Sequence, residues 1–179
     1  MGRSTFARAL LAASITLVAG SCVAPRREAA EPPLLVGVAE GLVVEPSRPD
    51  ASANSPLILA HNVRRSKAGL PPLFENPKLD AAAQGHARDM ADRRKMSHRG
   101  GDGSSAFDRI DRQSYRFRLA GENVAFGFDD VESVMDGWMK SPGHRRNILG
   151  RFTEIGVGRA IAKDGASYWS VSFGTPLGP

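Results

Sequence analysis

The sequence predicts a layered α+β domain, and three observations carry that prediction. Apolar residues recur at helical spacing as far as Trp138, the period changes to two from Ile155 onward, and Asp164-Gly165 separates two alternating runs. Helices that lead into an antiparallel hairpin bury their apolar faces by stacking in layers, in a domain of about 120 residues.

The chain opens on an export signal over residues 1–21. Arg3 and Arg8 supply positive charge, and Ala9 to Ala19 is apolar but too short to span a bilayer. Ala19-Gly20-Ser21-Cys22 resembles a bacterial lipobox, which would make Cys22 the lipidated first residue of the mature protein, although Ala19 stands where leucine is usual. An ordinary cleavage site with a bystander cysteine is the competing reading. Residues 22–55 carry Pro25, Pro32, Pro33, Pro46 and Pro49 with few aromatics, the composition of a tether, interrupted by an apolar island from Leu34 to Val44.

The domain is expected over residues 56–179. Leu57 to Ala68 reads as its first helix, closed by Gly69 and Pro71-Pro72. Asn76 caps a second helix, Pro77 opens it, and Leu79, Ala82, Ala83, His86 and Met90 form its buried stripe, so His86 reads as a core histidine. Gly100, Gly101 and Gly103 mark a loop, after which Ala106 to Gln113 forms a short helix with aspartates and arginines alternating on its surface. Ala120 to Gly127 reads as a turn entering a short strand. Asp129 or Asp130 starts a further helix anchored by Trp138, with Val131, Val134 and Met135 on the same stripe. Ser141 and Pro142 then suit the cap and first position of a helix that carries His144 in its first turn. In the final hairpin Ile155, Val157 and Ile161 alternate with small residues, and Trp169, Val171 and Phe173 alternate with serines. An all-small face requires close approach by a neighbouring layer.

One cysteine permits no internal disulfide, so stability must come from the core. Cleavage before Cys22 removes two arginines and no acids, lowering the formal charge from +5 to +3 without leaving an aromatic-interleaved basic patch. That composition argues against nucleic-acid binding.

His98, Glu122 and His144 are the candidate site residues, being polar, flanked by turn residues and off every apolar stripe. Two imidazoles and a carboxylate can bind a divalent metal or form a general base with an orienting partner; no His-x-x-x-His or paired-cysteine spacing decides between them.

His61-Asn62, Arg65, Ala82-Ala83-Gln84, Ser97-His98, Gly121-Glu122-Asn123, Trp138 to Arg145, Ile155-Gly156-Val157-Gly158, Tyr168-Trp169 and Phe173-Gly174 occur in uninterrupted order. The chain thereby resembles the CAP superfamily of cysteine-rich secretory, antigen 5 and pathogenesis-related 1 proteins, in its bacterial SCP-like branch. The resemblance implies an α-β-α sandwich with the C-terminal hairpin in its central sheet. It also implies a cleft of two histidines and two acids, able in some members to hold a cation. His98, Glu122 and His144 match three of the four; the second acid is replaced by Ser141. The remaining three would suffice chemically for Zn²⁺ with water completing the shell. Ser141 itself reads as a helix cap, not a nucleophile.

The leading expectation is an exported, lipid-anchored, monomeric binding module at the cell envelope, with a lipid, glycan or peptide as ligand and no enzymatic activity. A metal-dependent peptidase with Glu122 as base and a structural domain without a working site are the alternatives.

Overall fold

The computed structural model describes residues 51–178; the export signal, Cys22 and the island from Leu34 to Val44 lie outside the described residues. Its first helix, α1 (Ala51–Lys67), begins earlier than Leu57 and takes in the end of the expected tether. Pro56 lies inside it and is not a boundary; Ala51 and Ala53 supply high helix propensity ahead of it. A two-residue strand, β1 (Phe74–Glu75), precedes α2 (Pro77–Arg93), where the Asn76 side chain accepts from the Lys78 amide as the sequence leads one to expect. Next come α3 (Ala106–Arg112), β2 (Phe117–Phe126), α4 (Val131–Lys140), α5 (Pro142–Ile148), β3 (Glu154–Ile161) and β4 (Ser167–Pro176).

The sheet order is β1-β3-β4-β2, with β4 antiparallel to both its neighbours and β1 parallel to β3. The expected hairpin is therefore its centre, and Gly165 turns between β3 and β4 at φ +83°. One sheet face packs on α2, and the other carries the main core, in which Leu57 of α1, Trp138 of α4 and Ile148 of α5 meet Val157, Val171 and Phe173. The result is an α-β-α sandwich.

The small-residue face of the hairpin shows why it is small. A Cβ on Gly156 would lie 2.0 Å from the Leu79 carbonyl carbon, and one on Gly158 would lie 2.5 Å from the Gln84 Cα. Helix α2 thus rides directly on the backbone of β3, and the contact is zipped by side chains: Asp80 accepts from the Val157 amide (2.8 Å) and Gln84 accepts from the Arg159 amide (3.1 Å).

Strand β2 begins earlier than the sequence suggests. Gly121, expected in a turn, is strand, and its missing side chain makes room for the Phe152 ring, whose Cζ would lie 2.8 Å from an added Cβ. The glycine here answers a packing need that local turn chemistry does not reveal. Ile161, expected inside, is exposed at the end of β3, beyond the helix that covers Gly156 and Gly158.

Register decides which way β2 residues point. Glu122 stands opposite Ser172, which stands opposite Gly156, so Glu122 shares the α2-facing side. Asn123, opposite Val171, faces the other layer, where its side-chain amide donates to the His144 carbonyl at 3.1 Å.

Trp138 joins α4 to this edge strand: it is fully buried and its Nε1 donates to the Val124 carbonyl at 3.1 Å. Arg65, also buried, donates to the carbonyls of Pro71, Ile148 and Gly150 and so ties α1 to the end of α5. Replacing Trp138 with alanine leaves a large void and strands the Val124 carbonyl. The expected loss is about 3–5 kcal/mol in a denaturant titration, against less than half of that for Trp138→Phe, which retains an aromatic ring.

Candidate functional site

The site is built at the β2 edge from three segments. Strand β2 supplies Glu122, the loop between α2 and α3 supplies His98, and α5 supplies His144. His98 and Glu122 meet directly, with Nδ1 of the ring 2.8 Å from Oε1 of the carboxylate. A carboxylate can only accept, so the ring carries a proton on Nδ1, and in the neutral ring Nε2 is the acceptor. The His98 side chain is half exposed while that of Glu122 is buried, so the acid works from behind the histidine.

The second carboxylate oxygen is also taken. Arg109 Nη2 donates to Glu122 Oε2 at 2.6 Å, and the same guanidinium donates to the His98 carbonyl (3.1 Å) and the Ser104 carbonyl (2.9 Å). This corrects the expectation of a solvated charge pattern on the short helix. Arg109 is buried on the inner side of α3, beside Ile110, and links the helix, the His98 loop and the edge strand. Alternating aspartates and arginines carry no signal that distinguishes an inward arginine from an outward one, because its partner lies across the fold.

His86 belongs to the same neighbourhood. Its Nε2 donates to the Ser97 carbonyl at 2.8 Å and lies 3.9 Å from Glu122 Oε2; the ring is buried as the sequence suggests, but its Nδ1 has no hydrogen-bond partner among the described residues. Burial lowers its pKa below the ordinary imidazole value, and the nearby Glu122 only partly opposes this. His86 and Arg109, together with Asp89, Gly100 and Arg112, line a cavity of about 360 Å³ on this side of the sheet.

His144 is buried rather than an exposed first-turn residue. Burial, and secondarily the charge of a protonated His98, lower its pKa below the ordinary imidazole value. Its segment is fixed by two asparagines: Asn123 holds the His144 carbonyl, and Asn147 donates to the Glu122 carbonyl (3.0 Å) and to Asn123 Oδ1 (2.9 Å). Ser141 occupies the N-cap position of α5 without any side-chain cap bond; Pro142, which needs no N–H partner, starts the helix on its own terms.

This arrangement does not fit a zinc site with Glu122 as a ligand. Both carboxylate oxygens are occupied, a guanidinium lies where a cation would be repelled, and among the described residues no group of three His, Cys, Asp or Glu side chains could hold a metal ion. Glu122 instead orients the ring of His98 from its far side, as carboxylates that back functional histidines do.

A three-layer sandwich with a histidine–carboxylate pair at its sheet edge defines the class of protein. The cysteine-rich secretory protein (CAP) family matches residues 58–173, and the chain belongs to that family. Uncharacterized protein YkwD of Bacillus subtilis is 37% identical over 113 residues, covering 63% of this chain and 43% of that protein. Among solved structures, an extracellular protein containing an SCP domain from Bacillus anthracis is 32% identical with a TM-score of 0.62, covering 69% of this chain and 40% of the other. An outer surface protein from Borrelia burgdorferi shares the fold at 24% identity and a TM-score of 0.64, covering 69% of this chain and 92% of the other. The chain thus spans less than half the length of the curated relatives it matches.

Removing the guanidinium leaves a buried carboxylate without its cation and frees the His98 loop. Arg109→Met is expected to cost about 3–5 kcal/mol in chemical denaturation, and Arg109→Lys to recover only part of that, because a single ammonium cannot span the three acceptors in the same geometry. A loss below about 1 kcal/mol in Arg109→Met would show that the network contributes little.

Proposed function

We propose that this is an exported envelope protein whose CAP domain binds a ligand in the cleft formed by His98, Glu122 and His144, and that it does so without hydrolysing it. The observation that carries the reading is the double engagement of Glu122. An acid whose two oxygens are held by Arg109 and His98 has neither the freedom nor the access to activate a water, as the peptidase alternative requires. The half-exposed His98 offers Nε2 as an acceptor when its ring is neutral, and with the buried His144 of α5 it would suit a ligand that presents hydrogen-bond donors.

Export rests on the N-terminal signal, and two structural relatives are described as an extracellular protein and an outer surface protein. Among the described residues no helix is long and apolar enough to cross a membrane. Attachment would then come through a lipid on Cys22, with residues 23–50 as spacer between the anchor and α1.

The test follows the His98 and His144 ring resonances while envelope peptides and soluble peptidoglycan fragments are added, with product formation measured in the same samples. Saturable ring shifts without product, abolished in His98→Ala, are expected from a binding module. Product formation that disappears in Glu122→Gln would overturn the reading in favour of a hydrolase.

A further inference from the structure

The cavity of about 360 Å³ between α2, α3 and the loop that joins them lies in the size range of small-molecule sites, and none of His98, Glu122 and His144 lines it. Its floor is a face of α2 reduced almost to backbone by Ala81, Ala82 and Gly85. Glycine inside a helix costs stability relative to alanine. At Gly156 and Gly158 packing explains the missing Cβ, whereas a Cβ on Gly85 would meet nothing within 4 Å, and no left-handed φ calls for glycine there. The fold has no need of a glycine at this position; an open cavity floor has.

The walls are polar, and no apolar side chain larger than alanine lines the space. Their charges are already matched within the fold: Asp89 by Arg93, Asp102 by Arg112 and Arg109 by Glu122. What remains on offer is hydrogen bonding. Asp102 accepts from the Ser104 amide and from Arg112 and keeps further lone pairs, Arg112 keeps further N–H groups, and the exposed amide of Gln113 both donates and accepts. Matched charges disfavour an ion, the lack of apolar side chains disfavours a lipid or an apolar peptide, and the compact space excludes a long chain. A ring that carries several hydroxyls meets all three conditions, because it is neutral, each hydroxyl donates and accepts, and one face can lie flat on a helix without side chains. We infer that the α2–α3 cavity is a second binding site, for one neutral sugar ring laid on Gly85 with its hydroxyls on Asp102, Arg112 and Gln113. The site does not depend on what the histidine cleft binds. The two are neighbours through Arg109, which lines the cavity and donates to Glu122 and to the His98 carbonyl.

The full chain carrying Cys22→Ser, which has no acylation site, is titrated with glucose, galactose and N-acetylglucosamine while its backbone amide resonances are followed. Each sugar is taken to about 100 mM, enough to saturate a site of millimolar affinity. Sorbitol serves as the open-chain polyol and sodium sulfate as the anion. At least one of the sugars is expected to shift the Gly85, Gly100 and Gln113 amides saturably, and sorbitol to leave them in place. Gly85→Leu, which fills the floor, should weaken binding by more than about tenfold while raising the melting temperature. Gln113→Ala, at an exposed position, should weaken it by up to about tenfold without lowering that temperature, and serves alone if Gly85→Leu melts early. His98→Ala should retain the binding. Tighter binding of the N-acetylglucosamine trimer than of the monomer would identify the end of a glycan, and equal binding a free sugar, both within the inference. No saturable shift with any of the three sugars would overturn it, as would unchanged affinity in a folded Gly85→Leu or an equal response to sorbitol. Tighter binding of sulfate would make the cavity an anion site, and loss of the sugar shifts in His98→Ala would place the sugar in the histidine cleft; either result overturns the assignment.

Discussion

The site depends on one buried contact, the pairing of the Glu122 carboxylate with the Arg109 guanidinium. Glu122 projects from an edge strand towards the α2 layer because of the register of β2 with β4, and burial there demands a partner. Arg109 answers that demand with one Nη and also donates to the loop that carries His98. The other carboxylate oxygen then fixes the ring. Strand, loop and short helix are joined through a single charge pair, and the His98 imidazole inherits its orientation from it.

The same constraint bears on chemistry. A carboxylate in a cleft with two histidines invites assignment as a metal ligand or as a general base, and both roles need an oxygen free to turn towards the ligand. The geometry places Glu122 behind the half-exposed His98 ring with both of its oxygens engaged. Family membership sets the fold; it does not set what this chain does, since function resides in the particular side chains.

Much of the fold was legible in the residues because its signals are local. Asn76-Pro77 announces α2, the stripe ending at Trp138 announces α4, and Asp164-Gly165 between alternating runs announces the central hairpin. Even the approach of α2 to β3 is written in Gly156 and Gly158. The less legible features depend on partners distant in sequence. Gly121 looks like a turn residue until Phe152 is seen against it, and Arg109 looks like solvated charge until Glu122 is found opposite. Ordered motifs lead one to expect His98, Glu122 and His144 together, but the contacts that engage both oxygens of Glu122 are hydrogen bonds that no spacing encodes.

The most direct test of this account is the tautomer of His98, read from long-range proton–nitrogen correlation of its imidazole in the unprotonated state. The account predicts the proton on Nδ1 and a bare Nε2, because Oε1 of Glu122 can only accept. A ring found predominantly as the Nε2–H tautomer would contradict it, since Glu122 would then not be holding His98 and would be free for the roles assigned here to other groups.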